Sequence, residues 1–203
     1  MTRQKLDLLE NAVDSLGEAL TKYQEGESGN NKAYKFAILN LSHFIELIFK
    51  HYIADQHQLL IYKNPFADKL DKSKTIGFWE AINFTSHETG EIAKNSEFRK
   101  DLEWLKKIRN EIEHYKFDMN VDETRDVIGR LFRFLLEFLE FFSKIKVDDY
   151  VPKELTETFA ELADEYTGKL RRAERTVKHA EEEAFKGVRL KEYDLIQWDN
   201  IGL

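Results

Sequence analysis

Cysteine is absent from this 203-residue chain. That excludes disulfides, thiolate metal ligands and cysteine nucleophiles, and it fits a reducing, cytoplasmic setting. Proline occurs twice and glycine nine times, so long helices can run with few interruptions. Long hydrophobic runs are missing as well. The most apolar stretch, Leu131 to Phe142, is broken by Arg133, Glu137 and Glu140, which makes it too short and too charged to span a bilayer. The opening MTRQKLDLLENAVDSLGEAL scatters charge and holds no apolar h-region, so no secretory signal and no membrane association are expected. Net positive charge is lacking too. At a formal −7 the chain is unsuited to wrapping nucleic acid non-specifically, and this leaves room for a small local basic site. There is no internal repeat, low-complexity tract or glycine-rich phosphate loop.

What is present is helical periodicity over a composition that is 42% hydrophobic and 13% aromatic, enough for one sizeable core with an appendage. Leu6, Leu9, Val13, Leu16, Leu20 and Tyr23 predict a helix over about residues 4–24, stopped by the turn-rich Glu25-Gly-Glu-Ser-Gly-Asn-Asn. A second helix over about 32–54 is apolar around most of its circumference and is expected to be central. Its one polar stripe is His43, Glu46 and Lys50. This stripe reads either as a solvated edge with an i,i+4 ion pair or as the border of a site. Residues 56–74 read as a long loop with at most a short helical turn, and Thr75 as the cap of a short helix to about 84–87. A further helix is expected from Asn95 or Ser96 to about Phe117. Asn120 and Glu123 form a capping-box pattern opening a very apolar helix to about Val147. Pro152 suits the first turn of an amphipathic helix that Gly187 would cap. The stripe of that helix fades from Leu155 and Phe159 to Ala180 and Ala184, Gly168 is a point at which it could split or bend, and its basic middle reads as a solvated face in preference to a nucleic-acid contact. The expected organisation is all-α: a bundle over 1–147, a helical arm over 148–187, and a tail over 188–203 whose Tyr193, Leu195, Ile196 and Trp198 suit docking.

The chemistry-bearing stretch is Leu102 to Phe117, LEWLKKIRNEIEHYKF. Histidine supplies a proton donor or acceptor near neutral pH, and arginine a planar cation suited to phosphate oxygens. Arg109 and His114 are together a minimal metal-free kit for cleaving an RNA phosphodiester. Lys106, Lys107 and Lys116 would add phosphate attraction, and Glu46 and His43 would border the substrate. Arg109 and His114 stand about 140° apart around a helix, so a composite site across a two-fold axis suits them better than one chain alone. Plainer readings are a surface pair of Arg109 with Glu113 and a helix-end histidine at His114. The remaining histidines have no metal-ligand spacing, so neither metal nor cofactor is assigned.

Arg109-Asn-Glu-Ile-Glu-His114 resembles the R-x4-6-H motif of the HEPN superfamily (higher eukaryotes and prokaryotes nucleotide-binding), in which Asn often follows the Arg as Asn110 does here. The second helix, with Glu46-Leu-Ile-Phe-Lys50, also resembles an early HEPN helix. The resemblance covers about residues 1–147. It implies a HEPN-like bundle of four to five helices, here with a long C-terminal helical extension, that dimerises to bring two Arg–His pairs together. It further implies metal-independent endoribonuclease activity with Arg109, Asn110 and His114 as catalytic residues, in phage defence or a toxin–antitoxin system. The partners would then be RNA, a second copy of the chain, and an antitoxin or effector protein. Lys116 stands where HEPN toxins silenced by a nucleotidyltransferase carry a modified tyrosine, so the resemblance does not extend to that control. The alternative is a catalytically silent HEPN-like module that binds a nucleotide or a protein. A metal-dependent nuclease built on Glu46 and nearby acids is a third possibility.

Overall fold

The computed structural model describes residues 7–90, 96–114 and 118–199. Six α-helices account for most of them: α1 (Leu8–Glu27), α2 (Ala33–Gln56), α3 (Phe78–Thr89), α4 (Ser96–His114), α5 (Val121–Phe138) and α6 (Lys153–Asp199). The described residues contain no β-strand, and the all-α expectation holds. No helix among them is long and apolar enough to cross a membrane.

The local signals explain most of the boundaries. Asp7 and Glu10 form a reciprocal capping box that opens α1, each carboxylate accepting a backbone N–H at 2.8 Å. Gly29, at φ 101°, turns the chain where the glycine- and asparagine-rich stop was expected. Asn120 Oδ1 accepts from the Glu123 N–H at 3.2 Å and starts α5, the N-cap half of the expected capping box. Gly90 closes α3 in the left-handed conformation.

α2 is the hub. It packs along α1 and also touches α3 and α4. Ile38, Ile45, Ile48, Phe49 and Ile53 are fully buried. Phe49 and Tyr52 pack edge-on against Phe138 of α5, with ring centroids 4.8 and 5.5 Å apart. The first part of α6 completes the core through Leu162 and Ala163. α6 lies so close to α5 at Gly129 that a Cβ there would stand 3.1 Å from the Leu162 carbonyl oxygen.

Four boundaries differ from the sequence expectation. Thr75 does not cap α3. The helix starts at Phe78, where Glu80 accepts the Gly77 N–H at 2.6 Å, and Thr75 forms a bridge with Tyr62. The α5 geometry ends at Phe138 rather than Val147. A π-turn (Leu139–Ser143) and a left-handed Lys144 follow, because Phe138 fills the core and Phe141 lies beyond it, 71% exposed. Gly187 is not a cap, and α6 continues through it to Asp199. Gly168 does not split α6 either. The expected end of the motif helix near Phe117 lies outside the described residues, as does Lys116. The short helical turn expected in the long loop is a 3-10 turn at Gln58–Ile61.

Candidate functional site

The polar stripe of α2 is no solvated edge. Lys50 is 6% exposed, and its ammonium donates to Glu46 at 2.7 Å and to the Thr75 hydroxyl at 3.2 Å. Glu46 also receives Nη1 of Arg109 from α4 at 3.4 Å. Nε of Arg109 donates to Glu113 one turn further along α4, at 3.0 Å. Glu113, Arg109, Glu46, Lys50 and Thr75 therefore form one continuous chain of contacts from α4 through α2 to the end of the loop. Burial pushes the Glu46 carboxyl up, but the Lys50 ammonium and the Arg109 guanidinium outweigh it and hold the group below the ordinary carboxylate value.

His43 sits one turn before Glu46, half-buried, with Nδ1 2.9 Å from the Ser15 hydroxyl of α1. That hydroxyl can donate its one proton to the Asn11 carbonyl at 2.9 Å. With its proton on Asn11 the hydroxyl accepts from Nδ1–H, and in the other His43 tautomer it turns to donate to Nδ1 instead. Burial lowers the His43 pKa. The Arg109 and Lys50 cations push the same way, and the Glu46 carboxylate opposes them.

The structure thus brings together Arg109, Glu46 and Lys50, and sets His43 within their field. It keeps the other motif residues outside this cluster. Asn110, Lys107 and His114 are exposed, Lys107 facing Glu111 at 3.8 Å and His114 forming the last described residue of α4. Lys106 turns toward the start of α3, its ammonium 5.5 Å from the centre of the Phe78 ring.

The four charged groups Arg109, Lys50, Glu46 and Glu113 sum to zero. Arginine nevertheless has five N–H donors, and these two bonds use two of them. The guanidinium is thus held in place with donors left over for a phosphate. Among the described residues, no group of three or more histidine, aspartate and glutamate side chains is arranged to hold a metal ion.

Sequence reading missed three contributors. Ser15 orients His43, and Thr75 ties the loop to Lys50. In the third, Asp101, 5% exposed, takes a bidentate bond from Arg130 at 2.6 and 2.7 Å under the Tyr166 ring of α6. This last node borders a cleft of about 220 Å³. The presence of Asp101 on the otherwise apolar face of its helix was the available signal.

No protein-family model, curated protein or solved structure matches the chain. The class defined by fold and site is therefore an all-α bundle with a half-buried Arg–Glu–Lys network and an exposed histidine on the arginine's own helix.

Proposed function

We propose that the chain is a metal-independent endoribonuclease of the HEPN type, acting as a cytoplasmic homodimer in phage defence or a toxin–antitoxin pair. The observation that carries this reading is the anchoring of Arg109. Glu46 and Glu113 fix the guanidinium while leaving donors unspent, five residues before an exposed His114. In the proposed reaction, the ribose 2′-hydroxyl loses its proton to an imidazole and its oxygen bonds to phosphorus. The P–O5′ bond breaks, and the leaving oxygen takes a proton. The products are a 2′,3′-cyclic phosphate and a 5′-hydroxyl. His114 handles a proton and Arg109 neutralises the extra charge on the phosphoryl oxygens. Asn110 positions the substrate, and Lys106 and Lys107 draw the backbone in. Because Arg109 and His114 diverge around α4, the two halves of the chemistry come from two copies related by a two-fold axis.

The test is cleavage of total RNA and tRNA in EDTA by wild type and by His114→Ala. Wild-type cleavage producing 5′-hydroxyl ends, with loss of about 100-fold or more in the variant, is expected. Equal cleavage by both proteins, or cleavage that EDTA abolishes, sinks the proposal. A second reading rests on the zero formal charge around Arg109: a silent module that binds a nucleotide or protein. That module would tolerate His114→Ala but lose its partner when residues after Arg171 are removed, a cut that spares Leu162 and Ala163 in the core.

A further inference from the structure

The connection between α2 and α3 is built rather than loose. Tyr62 and Thr75 pair as an antiparallel bridge, with Lys63 N–H on the Lys74 carbonyl at 3.0 Å and Ile76 N–H on the Ile61 carbonyl at 2.8 Å. Two turns shape the loop between them. In the first, the Ala67 N–H reaches the Asn64 carbonyl at 3.3 Å, with Pro65 and Phe66 as the central residues. Pro65 fixes its own φ, so the turn is stiff where Phe66 emerges. In the second, the Lys74 N–H reaches the Asp71 carbonyl at 3.2 Å, and Asp71 Oδ1 accepts the Ser73 hydroxyl at 2.6 Å.

Phe66 is 90% exposed at the head of this loop. A single exposed apolar side chain is ordinary on a protein surface. What sets this one apart is its company. Residues 62–75 carry four lysines (Lys63, Lys69, Lys72, Lys74) against two aspartates, in a chain of net charge −7. Lys63 is shared with Glu80 at 3.3 Å and Lys74 with Asp71 at 3.2 Å. Lys69 and Lys72 are exposed and stand outside both pairs. A presented flat ring among surplus cations is the combination that holds unpaired nucleotides: the ring stacks a base, and the ammonium groups meet the phosphates.

The position of the loop gives this a direction. Its closing residue Thr75 is the hydroxyl that Lys50 holds, and Lys50 leads through Glu46 to Arg109. Phe78, three residues on, lies under Lys106, which is one turn before Arg109 on α4. We infer that residues 62–75 form a binding loop for single-stranded RNA, with a base stacked on Phe66 and its phosphates on Lys69 and Lys72. This rests on the nuclease reading for where the strand leads, namely to Arg109, and it narrows the substrate class to RNA with unpaired nucleotides.

The test is fluorescence anisotropy of a short labelled oligouridylate, titrated with the full chain carrying His114→Ala so that the probe survives. Phe66→Ala should weaken binding at least about five-fold, Phe66→Leu should weaken it equally, and Phe66→Trp should retain it. Lys69→Gln with Lys72→Gln should reduce the slope of log K against log salt by about 1.4. Duplex RNA of the same length should bind more weakly and be insensitive to Phe66→Ala.

The inference is overturned by no binding of the oligouridylate, by binding unchanged in Phe66→Ala, or by binding rescued by Phe66→Leu. The last would mean a merely apolar contact. Partition onto phosphatidylserine vesicles in place of oligouridylate binding would assign the loop to a membrane and equally overturn it. Unchanged thermal melting of the variants guards against misfolding. If wild type fails to cleave RNA while Phe66→Ala still loses the oligouridylate, the nuclease reading falls and the loop stands. If cleavage depends on His114 but binding ignores Phe66, the loop falls and the nuclease stands.

Discussion

Replacing Glu46 with alanine should destabilise the fold far more than an average surface change. Lys50 is 6% exposed, and its ammonium has two partners, the Glu46 carboxylate at 2.7 Å and the Thr75 hydroxyl at 3.2 Å. Removing the carboxylate leaves a buried cation with one neutral acceptor, a change that costs about 3–5 kcal/mol in buried pairs. The Glu46 side chain keeps 18% of its exposure, so water can partly replace it and the low end applies, about 3 kcal/mol. With a urea dependence of about 2 kcal/mol per molar, the unfolding midpoint should drop by about 1.5 M. Adding Lys50→Met to Glu46→Ala should recover most of the loss, because the stranded charge goes with it.

The pair also fixes a pH signature. The Glu46 pKa is lowered in the fold, so its contribution is complete above the ordinary value of 4.5 and is lost as pH falls through the lower folded value. The measurement is urea unfolding followed by circular dichroism at pH 7, with a repeat series in acid. A loss below about 1 kcal/mol, or a double variant weaker than the single one, would refute the account of Lys50 as a cation that depends on Glu46.

Two further predictions concern the supports of the site. The His43 pKa is lowered by burial, so the unfolded chain binds the proton first. Stability should therefore fall as pH drops below about 6.5, and the decline should flatten once pH passes the folded value, as thermal melts of wild type against His43→Gln would reveal. Gly129→Ala should destabilise by about 1–3 kcal/mol, because the new Cβ meets the Leu162 carbonyl, an unyielding backbone atom, at 3.1 Å. Urea unfolding reads this, and a neutral result would mean that α6 can move off α5.

The helices and their order were legible in the sequence because their signals are local. The stripe of α1, the crowded apolar surface of α2 and the cap at Asn120 each act within a few residues. The end of α5 was not legible. No glycine or proline marks residues 139–147, and the π-turn arises where the aromatic run outlasts the core available to bury it. Gly187 misled for the opposite reason, since a glycine is only a weak stop when neighbouring residues favour helix. At the site, the i,i+4 pair of Glu46 and Lys50 was readable, but its burial was not, because burial comes from the loop and α4 closing over it. Arg109 paired with Glu113 as the plain reading had it, and also with Glu46 across the fold, a pairing that the sequence pattern did not specify. Ser15 and Thr75 entered through contacts 28 and 25 residues apart in sequence, which no motif spacing encodes.

α6 runs for 47 residues, about 70 Å, without interruption. Thr156, Leu162 and Ala163 are buried, yet every residue from 172 to 180 is exposed. Amide protons in the first stretch can exchange only when the bundle itself opens, whereas those in the second are guarded by little beyond their own helical turns. The edge of the protein's cooperative folding unit therefore falls inside a helix, with no loop to mark it. The outer turns can melt and re-form, or be clipped by a protease, while the network around Arg109 stays closed.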